Sequence, residues 1–263
     1  MENKKLRIMV IGAHPDDCEY CFGGTAAKYC SLGHTVCFVS ATNGNAGHQT
    51  MSRDKLAAVR AGEAKQVGAL SGVTYMIMDN DDCGLTSDIK TRDELIGIIR
   101  RFRPDLIFTH RTNDYHTDHR HTGLLVQDAS YLLGVPLVCP DVPCLRYMPA
   151  IFSFYDEFKK PLPIQIDVVV GIDDTIIQKV RMLDCHKSQF YDWLPWIEYE
   201  TDQLPAAEDQ RFCWLEKKIQ DKDAAVANSC RQQLRMKYGS GRGEVIRFAE
   251  AFEMSEYGRV LTA

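Results

Sequence analysis

No apolar run in the 263 residues approaches the roughly 20 that span a bilayer. The N-terminus, Met1 to Val10, is basic, but the apolar run Ile8 to Ala13 is too short for the core of a signal peptide. Positive charge is also scarce. Lys and Arg total 31 against 36 Asp and Glu, and the net charge of -5 excludes the basic stripe expected of a nucleic-acid binder. Gly12 ends an apolar run, yet the Gly-x-x-Gly spacing that a pyrophosphate turn needs does not follow it. Internal repeats and low-complexity linkers are absent as well. These absences leave a cytoplasmic chain with no membrane span and no nucleic-acid partner, acting on a small molecule.

The composition is that of a globular protein, 45% hydrophobic and 25% charged. Such a length buries a large core, in one α/β domain or two smaller ones. The pattern fits one domain over 1–263, with 190–240 as an extension, and it leaves room for a homo-oligomer. The 10 cysteines are scattered, and Cys37 and Cys139 sit in apolar runs. That suits buried thiols in a reducing compartment better than a disulfide framework. The pair Cys18 and Cys21 is interleaved with an acidic motif, which disfavours a redox role.

Near-continuous apolar strands are expected at 6–12, 34–41, 73–78 and 104–109. Helices are expected from Gly23 to Leu32, from an N-cap at Ser52 to Ala69, and from Thr86 or Ser87 to Phe102. The second half is less regular. It suggests strands at 151–155 and 164–170, a helix from Asp173 or Asp174 to Lys187, an aromatic stretch from Phe190 to Tyr199, and a polar helix over 206–237. Strands alternating with helices imply a Rossmann-like three-layer α/β sandwich with a mostly parallel sheet and a C-terminal helical extension. Ligands bind such sheets beyond the carboxyl ends of the strands. The unusual polar residues fall there: His14 to Glu19 after the first strand, Asn43 to Gly47 after the second, and His110 to His121 after the fourth.

Four of the 8 histidines, His110, His116, His119 and His121, share one short segment with Asp114 and Asp118. His14 stands beside Asp16 and Asp17. Imidazole and carboxylate suit zinc, and a catalytic zinc needs three protein ligands and one open position. His14-x-x-Asp17 with a histidine from the second segment supplies that number. Zinc brings the pKa of bound water to about 7. Asp16, next to a ligand Asp17, is then free to serve as the base that takes the proton and delivers it to a leaving amine. His116, three residues before His119, is placed to support an oxyanion or protonate the amine, with Asp118 orienting its ring. Alone, an Asp pair in a turn is commonly a solvated cap. Three such segments at neighbouring strand ends are not.

The segment Ala13-His14-Pro15-Asp16-Asp17-Cys18-Glu19, followed by Gly23-Gly24-Thr25, resembles the first signature of the LmbE-like, or PIG-L, N-deacetylases. The segment His116-Thr117-Asp118-His119-Arg120 resembles the second. Thr42-Asn43-Gly44, Arg60-Ala61-Gly62-Glu63-Ala64 and His186-Lys187-Ser188-Gln189 are similar to weaker family features. The resemblance runs from about residue 6 to about 190, with a looser echo at 248–252. It departs at Cys18, where the family usually has Glu, and at Thr117, where it usually has Pro.

The resemblance implies hydrolysis of an N-acetyl group, commonly on an amino sugar. It assigns zinc to His14, Asp17 and His119, the base role to Asp16, and transition-state support to His116 with Asp118. Its weaker features point to Asn43, Arg60, Glu63, His186 and Gln189 as substrate-binding. Two alternatives stand beside it: a non-haem iron oxygenase using the same ligands with Fe²⁺, and a non-catalytic sugar- or nucleotide-binding protein. The aromatic stretch 190–199 reads either as a lid or apolar platform for a sugar ring or acyl chain, or as core or interface packing.

Overall fold

The computed structural model describes residues 4–261. The elements run β1 (Arg7–Gly12), α1 (Asp17–Ser31), β2 (Thr35–Ser40), α2 (Arg53–Ser71), β3 (Thr74–Ile77), α3 (Ile89–Phe102), β4 (Leu106–Thr109), α4 (Thr117–Leu132), β5 (Ala150–Phe154), β6 (Val168–Gly171) and α5 (Ile176–Asp184). A π-helical turn over Ser188–Trp193 follows. Then come α6 (Leu194–Ile197), α7 (Glu208–Ser229), α8 (Arg231–Tyr238), α9 (Ser240–Val245) and β7 (Ala249–Met254).

Alternation within the strands builds the three layers. In β1, Met9 and Ile11 join one buried cluster with Leu95, Ile99 and Val126 of α3 and α4. Their neighbours Ile8 and Val10 point to the other face, against Phe22 and Ala26 of α1 and Val67 of α2. β2 does the same with Cys37 and Val39 on one side and Val36 and Phe38 on the other. Side chains of successive strand residues face opposite ways, so a run apolar at every position is a strand buried on both faces.

The strands are ordered β3-β2-β1-β4-β5-β7-β6. β1, β2, β3, β4 and β5 pair in parallel, whereas β7 pairs antiparallel with both β5 and β6. The chain crosses from the β2 side of β1 to the β4 side. The carboxyl ends of β1 and β4 therefore flank the switch point where such sheets hold ligands. The segment 190–240 contributes helices as expected, but β7 beyond it returns the chain to the sheet, where α7 packs on it.

Several boundaries differ from expectation. α1 begins at Asp17, not at Gly23. Gly23 and Gly24 lie inside this helix for close packing: a Cβ on Gly24 would sit 2.8 Å from Ile172 Cδ1. α3 is capped by Asp88, whose carboxylate accepts the Thr91 amide at 2.9 Å, not by Thr86 or Ser87. α5 stops at Asp184. The helix expected over 206–237 breaks at buried Cys230 (φ -100°, ψ 18°), which redirects α8 against β6.

Candidate metal and active site

The early start of α1 has a chemical consequence. Asp16 is its N-cap residue, with φ of 137°, and makes no side-chain capping bond. A non-glycine residue at such a φ costs about 1–3 kcal/mol, and strain of this kind gathers at functional sites. Asp17 occupies the first helical position. Its Oδ2 accepts the amides of Ala13 at 2.9 Å and His14 at 2.7 Å. Its Oδ1 lies 3.6 Å from His119 Nε2.

The fourth strand end supplies the opposite wall. His110 stacks on His119 with ring centroids 4.0 Å apart, and its Nε2 lies 3.2 Å from Asp17 Oδ2. His116 is the N-cap of α4, and its Nδ1 accepts the Asp118 amide at 3.2 Å. The neutral His116 ring therefore carries its proton on Nε2 and presents a donor. His14 meets His116 edge-on at 4.7 Å and His119 at 5.2 Å between centroids.

The outer nitrogens of the two proposed histidine ligands are backed by carboxylates. His14 Nε2 lies 3.3 Å from Asp118 Oδ2 and 3.4 Å from Asp82 Oδ1. His119 Nδ1 lies 3.0 Å from Asp114 Oδ2. Each carboxylate holds the ring proton on its own side, leaving His14 Nδ1 and His119 Nε2 as lone pairs toward Asp17. His14 Nδ1 is 3.4 Å from Asp17 Oδ2. Tetrahedral zinc ligands at about 2.0–2.1 Å from the ion stand about 3.3–3.4 Å from one another. His14 meets Asp17 Oδ2 at that separation, whereas His119 meets the other oxygen of Asp17 at 3.6 Å. The compact donor groups are Asp17 with His110 and His119, and His14 with His116 and His119, and each has the chemistry of a zinc site. In the first group His110 Nε2 already accepts the Ala13 amide at 3.2 Å.

The electrostatics ask for positive charge. Burial disfavours a charged His14, yet the hydrogen bonds it donates to Asp118, Asp17 and Asp82 hold its pKa well above the ordinary imidazole range. Burial also pushes Asp17 up, but His119 and His110 beside it hold its carboxyl well below the usual range. Asp16 is raised to about 7, first by burial and then by the charge of Asp17, against the lowering effect of Arg60. A cation on Asp17 would cancel the second of those causes.

These residues open on a cavity of about 790 Å³. Asp16, Asp17, His14, His116 and His119 line its floor, and Phe190, Trp193, Leu194, Ile197 and Ile219 line its apolar wall. The aromatic stretch thus divides. Tyr191 is a core residue, Phe190 joins the core and also lines the cavity wall, Trp193 faces the cavity and stacks on Trp196 at 5.3 Å, and Tyr199 is exposed.

The remaining expected residues separate as well. Arg60 and Gln189 line the cavity and bond to each other, with Arg60 Nη2 also donating to the Gly47 carbonyl at 3.0 Å. Arg60 is 1% exposed, so it is no solvated helix residue. Glu63 does not line the cavity. It accepts the Ser188 amide and hydroxyl at 2.8 and 2.7 Å, tying α2 to the turn after α5. His186 is fully buried with Nε2 2.8 Å from Glu19 Oε1, behind the wall rather than in it. Asn43 braces its own loop by accepting the Asn45 amide at 3.1 Å. Asp118 departs from expectation too, because its carboxylate serves His14 while only its backbone amide reaches His116.

Asp114, Asp82 and Glu19 were not assigned roles from the sequence. Asp82 follows β3, so the same strand-end rule, applied to the third strand, would have found it. Asp114 and Glu19 fall inside the strand-end segments already singled out, but each acts through a histidine whose ring direction only the fold sets.

Fold and site together define a three-layer α/β protein with a histidine–carboxylate cation site at the switch point of its sheet. Residues 9–130 match the PIG-L family model, described as GlcNAc-PI de-N-acetylase. Over 211 residues it is 29% identical to the diacetylchitobiose deacetylase of Thermococcus kodakarensis, covering 75% of this chain and 76% of that one. Two solved structures share the fold. The N,N'-diacetylchitobiose deacetylase from Pyrococcus horikoshii matches with a TM-score of 0.73 at 22% identity, over 95% of this chain and 84% of that one. The 4-carboxy-2-hydroxymuconate hydratase from Pseudomonas putida matches with a TM-score of 0.75 at 19% identity, over 99% of both chains.

Proposed function

We propose that the protein is a zinc-dependent N-deacetylase acting on an N-acetylglucosamine-type sugar or conjugate. One observation carries the reading. His14 and His119, each backed by a carboxylate, turn their free nitrogens toward Asp17, while neighbouring Asp16 keeps its carboxylate uncommitted to capping in the same cavity. His14, Asp17 and His119 hold the metal. Zinc there would polarise the amide carbonyl and bring the pKa of water near 7.

The chain's own groups do the rest. Asp16 takes a proton from the attacking water and passes it to the nitrogen as the C–N bond breaks, releasing acetate and a free amine. The Nε2–H of His116 donates to the carbonyl oxygen as negative charge builds there. Asp118 fixes His14 and Asp114 fixes His119. Arg60 and Gln189 meet polar groups of the sugar, and the Trp193 side of the cavity takes its apolar face or its aglycone. Among the described residues no helix is long and apolar enough to cross a membrane. The 10 free thiols suit a reducing cytoplasm.

The test is an acetate-release screen over N-acetylglucosamine, diacetylchitobiose and other N-acetylated amines. Release that a chelator abolishes and zinc restores supports the reading. The same fold serves a hydratase, so the screen includes unsaturated di- and tricarboxylic acids. Water addition to one of these without any acetate release overturns it, as does oxygen consumption with bound iron.

A further inference from the structure

The loop after β3 brings a soft ligand to the cavity beside the site already described. Cys83 is exposed and sits at φ of 63°, a left-handed conformation uncommon for a residue with a side chain. Its backbone is held there, since its amide donates to Asp118 Oδ2 at 2.7 Å. Its Sγ is directed at Asp82 Oδ1, 3.3 Å away. Asp82 is buried, its Oδ2 accepts the Ala46 amide at 3.2 Å, and its Oδ1 lies between Cys83 Sγ and His14 Nε2, the latter 3.4 Å away. One ligand atom each from Asp82, Cys83 and His116 lies within 4.8 Å of the others.

We propose that Asp82, Cys83 and His116 form a second, inhibitory metal site for a thiophilic divalent cation of the zinc and cadmium class. A thiolate, a carboxylate and an imidazole select such ions over magnesium or calcium. Binding exchanges the thiol proton for the metal and releases it to water. His116 enters through Nε2, whose proton moves to Nδ1, so the cap hydrogen bond that Nδ1 accepts is given up. The ring then ceases to be a free donor to a substrate oxygen. His14 keeps its Asp118 partner at 3.3 Å, so the first site is left intact. Excess zinc then switches the enzyme off without displacing the metal that serves it. The inhibitory consequence rests on the role proposed above for His116, whereas the binding site itself does not.

Cadmium is the probe, added to the protein as purified. Wild type should take up one further equivalent with the ultraviolet thiolate-to-cadmium charge-transfer band. Acetate release should fall in step with that band. Cys83→Ser should show no such band at that stoichiometry, keep its activity without cadmium, and need at least tenfold more cadmium for half-inhibition. A band absent from wild type, or the same band retained in Cys83→Ser, overturns the site whatever the substrate proves to be. A band specific to Cys83 with no change in turnover overturns the inhibitory part alone.

Discussion

Asp114 Oδ2 stands 3.0 Å from His119 Nδ1, and the far nitrogen of the same ring faces Asp17 Oδ1 at 3.6 Å. The carboxylate thus decides which nitrogen of His119 is free to bind a cation. Removing such a partner typically costs 10–100-fold in metal affinity, roughly, while the ligands themselves remain. Asp114→Ala should weaken zinc binding by about that factor, measured by competition with a chromogenic chelator. Asp114→Asn keeps an acceptor oxygen without the charge and should fall between. Equal zinc affinity in all three proteins would remove Asp114 from the site.

Asp16 and Asp17 are neighbours in sequence with opposite fates. Asp17 is tied by two backbone amides and faces two histidines, whereas Asp16 caps nothing. Asp16→Asn should lower turnover by roughly 10²–10⁴-fold, the usual worth of a general base. Zinc content, read by metal analysis, should not change. Turnover within a few-fold of wild type would assign the proton transfer elsewhere.

Much of this was legible without coordinates. Apolar runs at Arg7–Gly12 and Leu106–Thr109 mark strands buried on both faces, and the strand-end rule then brings His14, Asp17 and His119 to one rim. The directions of the side chains were not legible. Asp118 lies next to His119 and two residues from His116, yet its carboxylate serves His14, 104 residues away. His186 and Gln189 are three residues apart, but the π-helical turn sends one into the core and the other into the cavity. Spacing along a chain sets which residues can share a face. Packing against distant elements sets what each one touches.

The separation of His186 from the cavity gives opposite expectations for two residues that the sequence grouped together. Glu19 and His186 are both fully buried and paired at 2.8 Å. His186→Ala leaves Glu19 with only the Tyr75 hydroxyl at 3.3 Å and should cost about 3–5 kcal/mol of stability, as breaking a buried pair does. Its KM should stay near wild type under conditions where it is folded. Arg60→Lys loses the planar fork that spans Gly47 and Gln189 at the cavity wall. It should lower kcat/KM by about tenfold or more, in line with roughly 1.5–3 kcal/mol for a charged hydrogen bond. Denaturant melts and steady-state kinetics on both variants separate the two cases.

Gly12 shows how tightly the first strand end is fitted to the site. A Cβ there would lie 2.6 Å from Asp17 Cβ and 3.3 Å from Cys18 Sγ, where the first turn of α1 crosses the end of β1. Gly12→Ala must push Asp17 away from His14 and His119. Overpacking of this kind costs about 1–3 kcal/mol, and each kcal/mol lowers Tm by about 2–4 °C for a chain of this size. The same displacement should weaken zinc binding, because the carboxylate moves with the helix. Gly62→Ala is the control. A Cβ at Gly62 meets nothing within 4 Å on the exposed face of α2, so there the substitution should stabilise by about 0.4–1 kcal/mol and leave zinc affinity unchanged. Calorimetry and zinc titration of the pair check both signs. A Gly12→Ala protein that melts and binds zinc like wild type would show that α1 is free to shift, and that the position of Asp17 is not set by its contact with β1.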